Sequence, residues 1–137
     1  MWWLMMASTT DEVRKWLAGI GGGVCYPDNV KIYAPTCKGK CLREVNELTD
    51  TVSRLFGGST VYPAAGAWID ESTGKMDTEP VRVIEAAHNC TDPAVARELG
   101  KAIVKYATRT RQKWLAVRAG KFYMGPQQEF IRRFVRR

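Results

Sequence analysis

Two one-sided helical stretches, each flanked by runs of β-forming residues, constrain the fold of this chain more than any other feature. From Leu42 to Phe56, the residues Leu42, Val45, Leu48, Val52 and Leu55 recur at helical spacing, and Gly57-Gly58 ends the run. A second stretch opens at Thr91 or Asp92, a residue suited to cap a helix, with Pro93 early in it as helix starts favour. Its stripe is Val95, Leu99, Ala102, Ile103 and Tyr106, with Arg97, Lys101, Lys105 and Arg109 on or near the other side. A helix with a single apolar stripe must bury it on another layer. The strand-like runs supply that layer: Val30 to Ala34, Ser59 to Asp70, Glu79 to Ala87, then Lys113 to Arg118 and Lys121 to Met124 about Ala119-Gly120.

The turn Glu71-Ser72-Thr73-Gly74-Lys75 joins the second and third runs as a hairpin, and Pro63 and Gly66 predict an edge position or a bulge in the first of that pair. The resulting order, β-α-β-β-α-β, predicts an α+β, ferredoxin-like sandwich with two helices on an antiparallel sheet. Its first and third strands are expected side by side and parallel. At 137 residues the chain is read as one domain. A helical extension spans residues 1–29; its helix is capped at Thr9, three residues before Glu12, and carries Val13, Trp16, Leu17 and Ile20 on one face. The core spans 30–124, and a short basic helix spans 125–137.

The run Phe56-Gly57-Gly58-Ser59-Thr60-Val61-Tyr62-Pro63-Ala64-Ala65-Gly66-Ala67-Trp68, followed by Glu79-Pro80-Val81-Arg82-Val83-Ile84-Glu85, resembles a loose group of small, mostly uncharacterised proteins of microbes and their phages. The shared part covers roughly residues 30 to 124 and includes Trp114 to Tyr123 as a closing hairpin. The resemblance implies the ferredoxin-like fold. It carries no activity across, because that group has no agreed catalytic residues.

Charge is distributed unevenly. Residues 1–100 hold ten Lys or Arg and thirteen Asp or Glu, a net of −3, whereas residues 101–137 hold eleven against Glu129 alone, a net of +10. Such a concentration attracts polyanions. Arg109, Arg111, Lys113, Arg118 and Lys121 interleave with Trp114, Phe122 and Tyr123, and Arg132, Arg133, Arg136 and Arg137 follow. Cations beside aromatic rings suit single strands and RNA loops. The leading expectation is therefore a non-enzymatic module that binds nucleic acid through these nine basic residues; a structural or oligomerising protein, whose charge keeps it soluble, is an alternative.

Two further constellations compete. Thr36, Lys38, Gly39 and Lys40 put a Gly between two Lys at a helix mouth, where amides and the helix dipole favour anions. That edge, with His88 to Thr91, would hold a phosphorylated ligand or nucleotide, as a phage-type protein that sequesters a signalling nucleotide would. Cys37, Cys41, His88 and Cys90 are expected to gather at one end of the sheet, where thiolates and an imidazole suit tetrahedral zinc. A disulfide between two of these cysteines, or independent packing, is the alternative; a reducing cytosol favours free or metal-bound thiols.

Catalysis has little to build on. The chain has one histidine and no Ser-His-Asp order, and Glu85 and His88 fall on opposite faces of a regular strand. Met1-Trp2-Trp3-Leu4-Met5-Met6 is too short to span a bilayer. The protein is read as cytoplasmic, in the host cytoplasm if viral. Phe130, Ile131, Phe134 and Val135 form a stripe on a terminal helix too short to stand alone. It must dock on its own domain, on a second copy in a homo-oligomer, or on an anionic membrane surface.

Overall fold

The computed structural model describes residues 9–18, 26 and 28–134. The elements are α1 (Thr9–Ala18), β1 (Asp28–Pro35), α2 (Leu42–Phe56), β2 (Thr60–Ile69), β3 (Met76–His88), α3 (Pro93–Thr110), β4 (Trp114–Ala119), β5 (Lys121–Pro126) and α4 (Gln127–Phe134). A 3-10 turn, Cys37–Gly39, joins β1 to α2. The fold is α+β. Its five strands form one sheet in the order β2-β3-β1-β4-β5, and every neighbouring pair is antiparallel.

Alternation along β1 separates the two faces of the sheet. Val30, Ile32 and Ala34 point to one side and are buried with Ile84 and Ala86 of β3 and Leu115 and Val117 of β4. Helices α2 and α3 close over this face with Val45, Leu48, Val52, Ile103, Tyr106 and Ala107. The α2 stripe is buried at its centre, while Leu42 at its start stays exposed. Asp92 caps α3 by accepting from the amide of Ala94 at 2.9 Å. The buried Tyr106 hydroxyl donates to the Pro35 carbonyl at 2.5 Å and ties α3 to the end of β1. Burial raises that phenol far above its ordinary pKa, so it stays a neutral donor.

Helix α4 docks on its own chain. It packs on α3 and β5, Phe130 lies against the core, and the Gln127 amide donates to the Lys113 carbonyl at 2.8 Å. Helix α1 carries Val13 and Leu17 exposed. Trp2, Trp3, Leu4, Met5, Met6, Ile20, Val135, Arg136 and Arg137 lie outside the described residues.

The expected gathering of Cys37, Cys41, His88 and Cys90 needs correction. β1 and β3 are neighbours, but they run antiparallel, with Asp28 opposite His88 and Pro35 opposite Val81. A crossover through α2 brings β2 back in the direction of β1, and the β2–β3 hairpin then reverses the chain once. His88 and Cys90 therefore sit at one end of β1 and Cys37 and Cys41 at the other, roughly 24 Å away along a strand rising ~3.4 Å per residue. Cys37 and Cys41 form a disulfide with Cα atoms 5.3 Å apart, and Cys90 is free. The His88 ring packs on Phe56, centroids 4.8 Å apart, and its Nδ1 accepts from the Cys90 amide at 3.2 Å.

The disulfide closes a turn in which Cys37, Lys38 and Gly39 all have positive φ (53°, 55° and 91°). Two of these residues carry a side chain that disfavours that region. The cross-link offsets this by restricting the unfolded chain, by roughly 2 kcal/mol for so short a loop. Reduction is expected to lower the urea midpoint accordingly. The Cys37→Ser/Cys41→Ser double variant should match the reduced protein and ignore reductant; equal midpoints for the oxidised and reduced forms would remove the staple from the account.

The core can be tested where burial is complete. Ile84 is 0% exposed, whereas Ile69 at the end of β2 is 61% exposed. Ile84→Ala should cost about 2–5 kcal/mol in urea denaturation, and Ile69→Ala far less. Similar costs for the two would contradict the burial assigned to them.

Candidate functional site

Directly opposed residues in an antiparallel sheet point to the same side, so the register assigns the face that the helices do not cover. One row on it crosses all five strands: Thr60, Glu85, Lys31, Arg118 and Phe122. The next row is Tyr62, Val83, Tyr33, Ala116 and Met124. A charged line thus lies beside an aromatic one. Trp68, Trp114, Phe122 and Met124 are exposed on this face, by 44–63%.

Glu85 is the centre of the charged row. Its Oε1 accepts from Asn29 Nδ2 at 3.1 Å, and its Oε2 accepts from the Tyr62 hydroxyl at 3.4 Å and faces Lys31 Nζ at 3.3 Å. The Asn29 hydrogen bond, with those of Lys31 and Tyr62 and the Lys31 charge, holds the carboxyl below the usual carboxylate range, against a smaller opposing effect of burial. Lys31 is raised in turn, first by its hydrogen bond to Glu85 and then by the charge on that group. The strands explain the convergence: Lys31 lies straight across from Glu85, Asn29 one residue pair further on the same face, and Tyr62 diagonally across on β2. A carboxylate offers about four lone-pair sites. Three are taken, which leaves one on Oε1 for a ligand hydroxyl or ammonium.

The aromatic part meets it at β4. Tyr33 and Phe122 approach edge to face, centroids 5.7 Å apart, across a strand whose intervening residue is the small Ala116. Arg118 lies over the Phe122 ring at 5.5 Å, within cation–π range. Val83 is 2% exposed between Tyr33 and Tyr62 in its row. Further along β3, Glu79 is held above the ordinary carboxylate range by burial, with Asp77 adding to the effect. Gly66 stands opposite it, and a Cβ there would approach Val81 Cγ2 to 3.2 Å.

The residues expected from sequence are placed as follows. Thr36 is buried, and its amide and hydroxyl both donate to the Pro80 carbonyl. The amides of Gly39, Lys40 and Cys41 donate to the carbonyls of Thr36, Cys37 and Thr36 within the turn, so they do not point outward as an anion cradle. Lys38 and Lys40 are exposed. Among the described residues no group of three or more His, Cys, Asp or Glu is arranged to hold a metal ion. The basic residues divide between surfaces. Arg109 pairs with Glu47 of α2 at 2.9 Å, Arg118 lies on the uncovered sheet face, and Lys121 is opposite Ala119 on the helix side. Arg111 and Lys113 are exposed at the end of α3 and beyond it, and Arg132 and Arg133 face Glu129 at 2.8 and 4.0 Å. Sequence reasoning missed Asn29, Lys31, Tyr33 and Tyr62. The signal for Asn29, Lys31 and Tyr33 was the outward half of the β1 alternation, read only for its buried half; Tyr62 lies on β2 and joins them only through the register.

No protein-family model and no curated protein matches the sequence. Two solved structures match in fold. A phage SAM lyase in complex with S-methyl-5'-thioadenosine superposes with a TM-score of 0.57 at 10% identity, over 79% of this chain and 96% of that one. A phage SAM lyase in its apo state gives 0.52 at 12% identity, over 72% and 88%. These matches correct the leading expectation of a nucleic-acid module built on Arg109, Arg111, Lys113, Arg118, Lys121, Arg132, Arg133, Arg136 and Arg137. The architecture is one found in a small-ligand lyase, and the seven of these cations that are described do not share a face.

Proposed function

We propose that this chain is a small-ligand protein of the phage SAM-lyase type, taking S-adenosylmethionine or a related adenosyl thioether on the uncovered face of its sheet. The observation that carries the reading is the ionised Glu85, held by Asn29, Lys31 and Tyr62 beside exposed aromatic rings. A flat aromatic surface suits a purine, and a carboxylate with one acceptor site left suits a ribose hydroxyl. The fold likeness to a phage SAM lyase holding S-methyl-5'-thioadenosine supports the same ligand class. We take the architecture as a ferredoxin-like βαββαβ sandwich with β5 added at one edge; the two crossover helices on one face support this. Phage origin and action in the host cytoplasm follow the same reading. Among the described residues no helix is long and apolar enough to cross a membrane.

Calorimetric titration with S-adenosylmethionine and with S-methyl-5'-thioadenosine tests the assignment. Saturable binding of at least one is expected, weakened about tenfold or more in Glu85→Ala. Absence of binding to both compounds by the folded wild type refutes the reading. Chromatographic appearance of S-methyl-5'-thioadenosine from S-adenosylmethionine would distinguish cleavage from sequestration.

Protonation supplies a second test. Because the folded pKa of Glu85 is depressed, its network contributes stability that is full above the unfolded carboxylate pKa and is lost as pH falls through the folded value. The difference in denaturation midpoint between wild type and Glu85→Gln should be level from about pH 7 to about pH 5 and close below that. A difference that persists unchanged under acid would show that the three contacts do not depend on the charge.

A further inference from the structure

Arg118 is the cation of the charged row that has no carboxylate beside it. Lys31 is matched by Glu85, Arg109 by Glu47, and Arg132 by Glu129, whereas no acidic partner lies within salt-bridge distance of Arg118 among the described residues. Its guanidinium lies over the Phe122 ring, so its position is set by packing while its donors stay exposed. The register puts it directly opposite Lys31 and two strands from Glu85, about 10 Å between backbones. A molecule lying along the row would thus meet a carboxylate at one end and a forked cation at the other.

We propose that Arg118 anchors the α-carboxylate of the ligand's amino-acid arm and thereby selects S-adenosylmethionine over thioether nucleosides that lack the arm. The inference rests on the function proposed above. Guanidinium and carboxylate match as two parallel hydrogen bonds, a geometry an ammonium cannot reproduce. Glu85 then takes the hydroxyl-bearing nucleoside end, and Lys31 between them stays committed to Glu85. The sign of the charge effect makes the role testable. S-adenosylmethionine is a sulfonium cation, so deleting a nearby positive charge would strengthen its binding if only through-space electrostatics acted. A direct carboxylate contact predicts the opposite.

The experiment is titration of wild type, Arg118→Leu and Arg118→Lys with S-adenosylmethionine and with S-methyl-5'-thioadenosine, the circular dichroism of each variant being recorded first. Arg118→Leu should lose about tenfold or more in affinity for S-adenosylmethionine and keep that for S-methyl-5'-thioadenosine. Arg118→Lys should lose S-adenosylmethionine affinity selectively but less, and it carries the test if the leucine variant does not fold. Equal losses for both compounds, unchanged affinities, or tighter binding of S-adenosylmethionine would overturn the role of Arg118 while leaving the ligand class standing. Wild type that binds neither compound overturns the ligand class and this inference together.

Discussion

β1 is hydrogen-bonded on both sides, to β3 over eight residue pairs and to β4 over four, and both neighbours run antiparallel to it. Its alternation is therefore imposed on the whole sheet. Val30, Ile32 and Ala34 define the face that α2 and α3 must cover, and Asn29, Lys31 and Tyr33 define the face left to solvent or ligand. A slip of one residue would turn Lys31 into the helical core and Ile32 out of it. The core thus holds the polar row in place without touching it. Ile84 and Glu85 are adjacent in sequence, one fully buried and the other accepting three side-chain contacts on the opposite side.

The order of elements, the two amphipathic helices and the closing hairpin were legible because each rests on local pattern: helical spacing in α2, an Asx cap at Asp92, a glycine turn at Gly120 with φ of 73°. The relative direction of β1 and β3 was not local. It depends on counting reversals through a crossover and a hairpin, and taking that count wrongly moved His88 and Cys90 to the far end of the molecule. The cysteine pair shows a related limit. Compartment chemistry argues for reduced thiols, but the chain between Cys37 and Cys41 makes a tight turn of left-handed residues that brings their Cα atoms to 5.3 Å. That proximity comes from backbone conformation, which spacing alone does not reveal.

The candidate site was hidden for a different reason. Glu85 stood out as a charge in mid-strand, but its partners come from positions 29, 31 and 62, far apart in the chain, and only the register unites them. Attention to motifs favoured residues close in sequence, such as Thr36 to Lys40, whose amides turn out to be taken up by their own turn. Ala116 illustrates the same point from the packing side. A small residue there carries no chemistry, yet it stands between Tyr33 and Phe122 where those rings approach across β4.

A charge of +10 in the last 37 residues attracted a polyanion reading that the fold does not sustain. Binding a phosphate backbone requires cations that converge on one track, because each phosphate neutralised adds to the release of counterions only while the strand stays in contact. Sequence concentration satisfies that requirement only when the segment is one helix or one strand. Here the segment runs through α3, β4, β5 and α4, which place their side chains on different sides of the sheet. Three of the arginines are matched by Glu47 or Glu129. Arg118, the one cation of this segment in the charged row, lies directly opposite Lys31 on the adjacent β1 and opposite Phe122 on β5. One cation in that row does not make the track that a phosphate backbone needs.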